Sequence, residues 1–371
     1  MDFTLTTAQD ELSALSRQIL TDRVTQERLR EIEAGQTRFD AALWSDLAAA
    51  GVLSAALPES VGGAGLGLLE QCSVLVEVGR TVAPAPYLAS IAIGASAIAA
   101  FGSRDQQQRW AAPAARGEVI LAAALSEDEV EDVRLPATTA RQSDGGWRLS
   151  GTKTTVLGGT VADLLLVPAS TPYGAAVFLV RPDDPGVIVQ PQDVTGGDGT
   201  ALIELSSAVV PDDRVLGGIA AGAEIIDWLA GRATVGLCAL QLGVTERALE
   251  LTAAYARSRE QFGKPIGSFQ AVSQRLADAY IDIEGIRLTL WQAAWRLAEG
   301  LPSDTEIATA KFWAAEAGHR VAHTAVHVHG GVGIDMDGDV HRYFVAAKHN
   351  EFALGGATAQ LRRIGVALAS S

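Results

Sequence analysis

The run Tyr255-Ala-Arg-Ser-Arg-Glu-Gln-Phe-Gly-Lys-Pro-Ile-Gly-Ser-Phe-Gln270, answered downstream by His327-Val-His-Gly-Gly-Val-Gly333, decides how the second half of the chain is read. Arg259 falls at the end of a long helical pattern, just before the helix breakers Gly263 and Pro265. A guanidinium at that place can form paired, charge-assisted hydrogen bonds to a pyrophosphate, and Phe262 offers a flat face to an adenine or ribose. Gln270 opens the next helix and can donate to the same group. The plainer alternative pairs Arg259 with Glu260 or a neighbouring acid and puts Phe262 in the core. Gly330, Gly331 and Gly333 end a later helix in a turn where backbone can approach a ligand closely, although a bare helix stop would use the same glycines. Each motif is short, and their joint occurrence on successive parts of one helical region is the signal.

Outward from these motifs the apolar residues keep the helical period from Gly222 almost to the C-terminus, with segments at about 224–257, 268–299, 304–329 and 339–368. Four such helices predict a bundle with a continuous buried seam. Upstream the character changes. Val119-Ile-Leu-Ala-Ala-Ala-Leu125, Leu164-Leu-Leu-Val167, Ala176-Val-Phe-Leu-Val180 and Gly186-Val-Ile-Val189 are short, often β-branched, and bounded by Gly, Asp and Pro, which predicts strands closing at Val210-Pro-Asp-Asp213. Before them the helical spacing returns, as in Leu12, Leu15, Ile19 and then Leu43, Leu47, Val52. The glycine-rich phrase Leu57-Pro-Glu-Ser-Val-Gly-Gly-Ala-Gly-Leu66 reads as a connection into a helix over 68–82 rather than a phosphate cradle, because no lysine or arginine accompanies it. The fold class that results is α+β multidomain: an N-terminal α-helical domain over 1–117, a middle β-domain over 118–216, and a C-terminal four-helix bundle over 217–371.

A chain of 371 residues can bury two or three domain cores. Its 44 acidic residues against 29 lysines and arginines give a formal charge of −15. Such a surface repels phosphate backbones and anionic lipid, which argues against nucleic-acid and membrane partners and for proteins and small molecules. Cys72 and Cys238 alone form no disulfide framework or metal-ligand spacing, so a reducing compartment is the simpler reading. The opening Met1-Asp-Phe-Thr-Leu-Thr-Thr-Ala-Gln-Asp10 lacks the basic-then-apolar pattern of a signal peptide, and the mainly apolar stretch 88–101 falls short of the roughly 20 residues that span a bilayer. The expectation is a cytoplasmic protein.

The phrases Pro58-Glu-Ser-Val-Gly-Gly-Ala-Gly65, Gly151-Thr-Lys153, Arg259-Glu-Gln-Phe-Gly-Lys-Pro-Ile266 and His329-Gly-Gly-Val-Gly333 fall in the order and spacing of the acyl-CoA dehydrogenases, and the resemblance covers essentially the whole chain. It implies an α-domain, a β-barrel-like middle domain and a C-terminal four-helix bundle, with subunits paired so that each FAD lies across an interface. It also implies that the adenine and pyrophosphate half of a neighbour's FAD is gripped at Arg259, Gln261, Phe262, Ile266, Phe269, Gln270, Gly330 and Gly331, and at His327, where the family usually has glutamine.

The departures from the family pattern concern chemistry. Dehydrogenation needs a base for the α-proton of the thioester, and the family uses a carboxylate. Counted from Gly331 that position falls on Leu354, and the alternative on the first bundle helix falls near Ala233. Glu351, one turn before Leu354, reads as a solvated helix face, and Glu224, Asp227 and Glu246 read as surface charges. In the middle domain the family's Thr-Glu-Pro strand and Gly-Ser-Asp turn are replaced by Leu125-Ser-Glu-Asp-Glu129, and its Trp-Ile-Thr/Ser stretch by Thr154-Thr-Val-Leu-Gly158, so no catalytic residue is assigned. His319, His323 and His327 share a helix face that can be imagined as a zinc site, but packing or an interface explains the stripe better, and no metal is expected.

This pattern resembles the non-catalytic subunit of heteromeric, α2β2 acyl-CoA dehydrogenases of actinobacteria that desaturate steroid side-chain CoA thioesters. It implies FAD shared with a homologous catalytic partner, an acyl-CoA held mainly by that partner, and an electron-transfer flavoprotein as acceptor. The alternatives are a self-sufficient homomeric enzyme with a displaced base such as Glu351, and a flavin-free scaffold.

Overall fold

The strands predicted from apolar runs lie in a single sheet with three more that the runs do not announce. A computed structural model describes residues 6–35, 37–128, 130–195 and 199–370; the Met1–Leu5 part of the N-terminal run and Glu129 of the middle-domain phrase lie outside the described residues. Strands β1 (Leu121–Ala123), β2 (Thr139–Ser143), β3 (Gly146–Val156), β4 (Leu164–Thr171), β5 (Gly174–Val180), β6 (Val187–Pro191) and β7 (Ala201–Pro211) pair in the order β1-β4-β2-β3-β7-β6, with β5 also on β4. Only β1–β4 and β2–β4 are parallel. β4 and β5 are buried nearly continuously, which is why they read as apolar runs. β3 and β7 alternate buried and exposed positions, so their polar faces hid them from a search for apolar runs. The sheet curls around Trp147, Leu149, Leu165, Val167, Phe178, Ile203 and Val210. Trp147 and Phe178 meet at 5.5 Å, each burial stabilising by roughly 2–3 kcal/mol.

By contacts the described chain forms two compact units. One comprises Glu27–Gln71 and Pro84–Ala233, and contains this sheet. Its helices include α2 (Gln26–Glu33), which it shares from Glu27 on, and α3 (Ala41–Ala49), which is capped by Asp40. The Asp40 side chain accepts from the Ala42 and Leu43 amides and from Arg28. After α4 (Leu68–Thr81) come a π-helical stretch Leu88–Ala95 and the short helices α5 (Ser96–Phe101), α6 (Arg104–Gln106) and α7 (Ala112–Ala115). The glycine-rich phrase at 57–66 is a tight connection, as the sequence suggests: a Cβ on Gly63 would sit 1.9 Å from the Leu57 carbonyl oxygen.

The other unit comprises the chain up to Gln26, Cys72–Ala83 and Thr234 onward. Here α1 (Thr7–Arg23) and the C-terminal part of α4 accompany α8 (Gly222–Ser258) from Thr234 on, α9 (Gln270–Ala298), α10 (Asp304–His329), α11 (Val340–Phe352) and α12 (Ala357–Ser370). Within this unit α4 and α8 cross backbone to backbone: a Cβ on Gly79 would lie 2.1 Å from the Leu240 oxygen, and one on Gly243 1.9 Å from the Val76 oxygen. The alanine-rich α10 is the spine of the bundle, with Ala308, Ala310, Ala314, Ala315, Ala317, Ala322 and Ala325 buried against its neighbours. The segment Ile219–Ser258 is long and apolar enough to cross a bilayer, more so than 88–101, yet 78% of its apolar window is buried, as befits a core helix.

The bundle departs from expectation in one place. The single helix read over 339–368 is broken, because Leu354 adopts φ +56° and Gly355 φ +93° between α11 and α12. Gln360 donates to the Leu354 and Gly355 carbonyls at 3.2 and 3.0 Å, and Lys311 donates to those of Asn350 and Glu351 at 2.8 and 3.1 Å. The carbonyls freed at the break therefore find side-chain donors, which no helical period could reveal.

Candidate functional site

The predicted grip is a hairpin and a turn. After α8 ends, Glu260–Gln261 and Lys264–Pro265 pair antiparallel, and the Ile266 amide donates to the Arg259 carbonyl at 2.8 Å. Phe262 sits at the hairpin tip with φ +52°, 93% exposed, so it is not the core residue of the plainer reading. An aromatic held in the left-handed region and in water is a costly arrangement for a lone chain. Arg259 is exposed and has no ion-pair partner among the described residues, so it pairs with neither Glu260 nor another acid. Lys264 lies 4.4 Å over the Phe269 ring, which also meets Phe262 edge-on at 6.2 Å. Ile266 and Phe269 are half-buried, while Gln261, Gln270 and His327 are exposed.

The second arm is the end of α10. Gly330 has φ +65° and ψ −143°, a region open essentially to glycine, and nothing lies within 4 Å of a Cβ built on Gly330 or Gly331. The arms are joined beneath by two residues the sequence reading passed over: the Tyr255 and His329 rings stack at 4.4 Å and 22°. A ring one turn before Arg259 and a ring just before Gly330 were the available signal.

The two positions where the resemblance implies a base are different in kind. Leu354 is half-buried in the helix break, and Ala233 is 3% exposed on α8. Glu351 is not the solvated residue expected. Its carboxylate, 13% exposed, accepts from Lys348 at 2.6 Å and meets His319 Nδ1 at 3.1 Å. Below it Lys311 is fully buried, and burial pushes its ammonium down to about 8, with the neighbouring Cys238 and Glu351 charges opposing. Burial likewise pushes the Cys238 thiol up to about 12. Glu246 is also not a surface charge: it is 13% exposed, bonded by Arg80 and Arg287 at 2.7 Å each, in a cleft of about 530 Å³ whose other lining includes Arg17 and Tyr280. Glu224 and Asp227 are exposed as expected.

The described part of the middle-domain phrase is similarly self-contained. Glu127 accepts from the Lys153 ammonium at 2.5 Å and from the Ala137 and Thr138 amides. Lys153 is 0% exposed, and burial brings its ammonium down to about 8 against the pull of Glu127. At the irregularity in β3, Thr155 takes φ +49° and donates its amide to Gln192 Oε1 at 2.7 Å, while Gln192 Nε2 donates to Thr154 Oγ1 at 2.9 Å.

His319 and His323 meet at 4.3 Å with their rings tilted by 39°, and His323 meets Phe344 edge-on at 5.2 Å, so this part of the stripe is engaged in packing. Burial, then the His319 and Lys348 charges, hold His323 below the ordinary imidazole range. Among the described residues no three His, Cys, Asp or Glu side chains are placed to hold a metal ion.

Three family models match the chain: acyl-CoA dehydrogenase N-terminal domain over residues 6–118, middle domain over 122–209 and C-terminal domain over 221–369. The chain is 52% identical to acyl-CoA dehydrogenase FadE27 of Mycobacterium tuberculosis over 379 aligned positions, covering all of both chains. Among solved structures it superimposes on a chain of the ChsE4-ChsE5 complex from Mycobacterium tuberculosis with a TM-score of 0.96, at 53% identity and full coverage of both. A chain of the Tcur3481-Tcur3483 steroid ACAD matches at a TM-score of 0.91, 43% identity and 98% coverage of each.

Proposed function

The chain belongs to the acyl-CoA dehydrogenase family, and within it we propose that this chain is the non-catalytic subunit of a heteromeric, FAD-dependent enzyme that desaturates the α,β bond of a steroid side-chain acyl-CoA. FAD, when bound, supplies the acceptor for the hydride that leaves the β-carbon. This chain's part is to hold the nucleotide end. The Arg259 guanidinium would pair with pyrophosphate oxygens, Phe262 would offer its face to the adenine, and Gln261, Gln270 and His327 would offer polar contacts. Ile266 and Phe269 back them, and the glycine turn at 330–331 lets phosphate approach backbone. The fit rests on a guanidinium with no ion-pair partner among the described residues, an exposed aromatic at positive φ, and open space where Gly330 and Gly331 lack a Cβ.

The ring end does not fit in the same way. Thr155 offers no aromatic wall and Leu157 no hydroxyl where the family's stretch carries them, and the Thr155 amide already donates to Gln192. Neither Leu354 nor Ala233 can take a proton, and Glu351 is committed to Lys348 and His319. The observation that carries the proposal is this pairing of an open nucleotide grip with a base position lacking a carboxylate. Support for a homologous partner comes from the two-component solved complexes that the chain resembles. The partner then supplies base, flavin-ring contacts and most of the acyl-CoA contacts, with an electron-transfer flavoprotein as the acceptor. Native mass and flavin absorbance of the chain, expressed with and without that partner, test the proposal. One FAD per heterodimer in an α2β2 assembly is expected, and a full complement of FAD on this chain alone would sink it.

A further inference from the structure

The two arms of the grip come from helix ends 70 residues apart, Arg259 following α8 and His329 closing α10. Neither arm is rigid by its own contacts. The hairpin holds two residue pairs, and its tip is in solvent. The turn rests on glycines. A ligand spanning both therefore binds tightly only if their separation is fixed beforehand, since otherwise ordering them costs binding free energy.

Packing beneath the two arms fixes it. Tyr255 lies one turn before Arg259 and its carbonyl accepts the Arg259 amide at 2.8 Å, so its ring moves with the hairpin's root. His329 precedes Gly330 directly, is 8% exposed, and its Nδ1 lies 2.8 Å from the Ala325 carbonyl. A carbonyl only accepts, so Nδ1 carries the proton and the ring plane is set by α10. The ring then stacks on Tyr255, while the His329 Cβ would meet a Cβ on Gly333 at 3.1 Å, so His329 also backs the glycine turn. On the hairpin side a Cβ on Gly267 would come within 3.0 Å of the Ala256 carbonyl oxygen, seating the hairpin's far strand on α8.

We propose that Tyr255 and His329 are a positioning pair whose ring stack sets the spacing between the Arg259 hairpin and the Gly330–Gly331 turn, and so fixes the affinity for the nucleotide half of FAD. The inference rests on the reading of those two segments as the grip. The pair touches neither the reacting atoms nor the acyl chain, so it acts on cofactor retention and not on turnover.

The test titrates FAD into the apo-assembly formed by the full chain with its catalytic partner, in wild type and five variants. His329→Ala is expected to raise the FAD dissociation constant about tenfold, the worth of a well-stacked aromatic pair. Tyr255→Phe and His329→Phe keep the rings and are expected to stay within about threefold of wild type, rescue that a general folding defect would not follow. At saturating FAD, kcat and the KM for acyl-CoA are unchanged in all three. Should His329→Ala fail to assemble, Tyr255→Leu, which keeps apolar volume at a partly exposed site, must show the same loosening. Wild-type FAD affinity in the variant lacking the stack, with Arg259→Ala losing FAD, overturns the positioning pair and leaves the grip standing. Undiminished FAD affinity in Arg259→Ala overturns the grip, and the pair with it.

Discussion

The hairpin at 259–270 and the helix break at 353–356 are both irregular, both hold non-glycine residues at positive φ, and both lie beside family motifs, yet their polar groups are in opposite states. At the hairpin Arg259 has no ion-pair partner among the described residues and Phe262 is 93% exposed. At the break Lys311 caps two carbonyls, Gln360 caps two more, and Glu351 is bonded on both sides. A site waiting for an external ligand leaves strong donors unmatched, because the ligand will match them. A site with no such ligand must satisfy its charges from within, since an unpaired buried charge costs several kcal/mol.

The sharpest test of the closed side is Lys311. Its ammonium titrates near 8 in the folded chain and at 10.5 when unfolded, so between those values the unfolded chain binds the extra proton and stability must rise with pH. The full shift corresponds to roughly 3 kcal/mol. Lys311→Met should remove that rise, read as the difference between wild-type and variant denaturation across pH 8 to 10.5, in which the opposing titration of Cys238 cancels. Parallel curves would mean that Lys311 is not buried as described.

On the open side Arg259→Ala should weaken FAD retention by about thirtyfold, or about 2 kcal/mol, the range for a charge-assisted hydrogen bond, without lowering the melting temperature of the FAD-free assembly. A matching loss of thermal stability would place Arg259 among the internally satisfied charges and erase the contrast. The smallest effect is expected at Glu351. Glu351→Gln should cost about 1 kcal/mol of stability through its ties to Lys348 and His319 and leave turnover within about twofold. Turnover reduced by orders of magnitude would make Glu351 a base, and the chain a self-sufficient enzyme.

Much of this was legible beforehand, and what escaped did so for identifiable reasons. Periodicity found α8, α9 and α10 because each buries one long stripe. It ran through the break after Phe352 because the residues on either side keep the helical spacing, while the left-handed turn at Leu354 and Gly355 is stabilised by Gln360 and Lys311 from elsewhere in the chain. β4 and β5 were visible as apolar runs, whereas β3 and β7 alternate faces and so show no run. Glu351 looked solvated because its partners include His319, 32 positions away.

The sequence by itself determined which kinds of group stand at each place: a guanidinium and aromatic before a glycine and proline, glycines at the end of α10, and leucine and alanine where a carboxylate would be needed. Those are facts of residue identity and order; they carry the resemblance to the family and leave no carboxylate at positions 354 and 233. Only the tertiary structure decided which groups are spoken for. Whether Arg259 is free, Glu351 committed, or Tyr255 seated on His329 depends on long-range packing, because a charge or ring is satisfied by whatever the fold brings within a few ångströms and not by its neighbours along the chain.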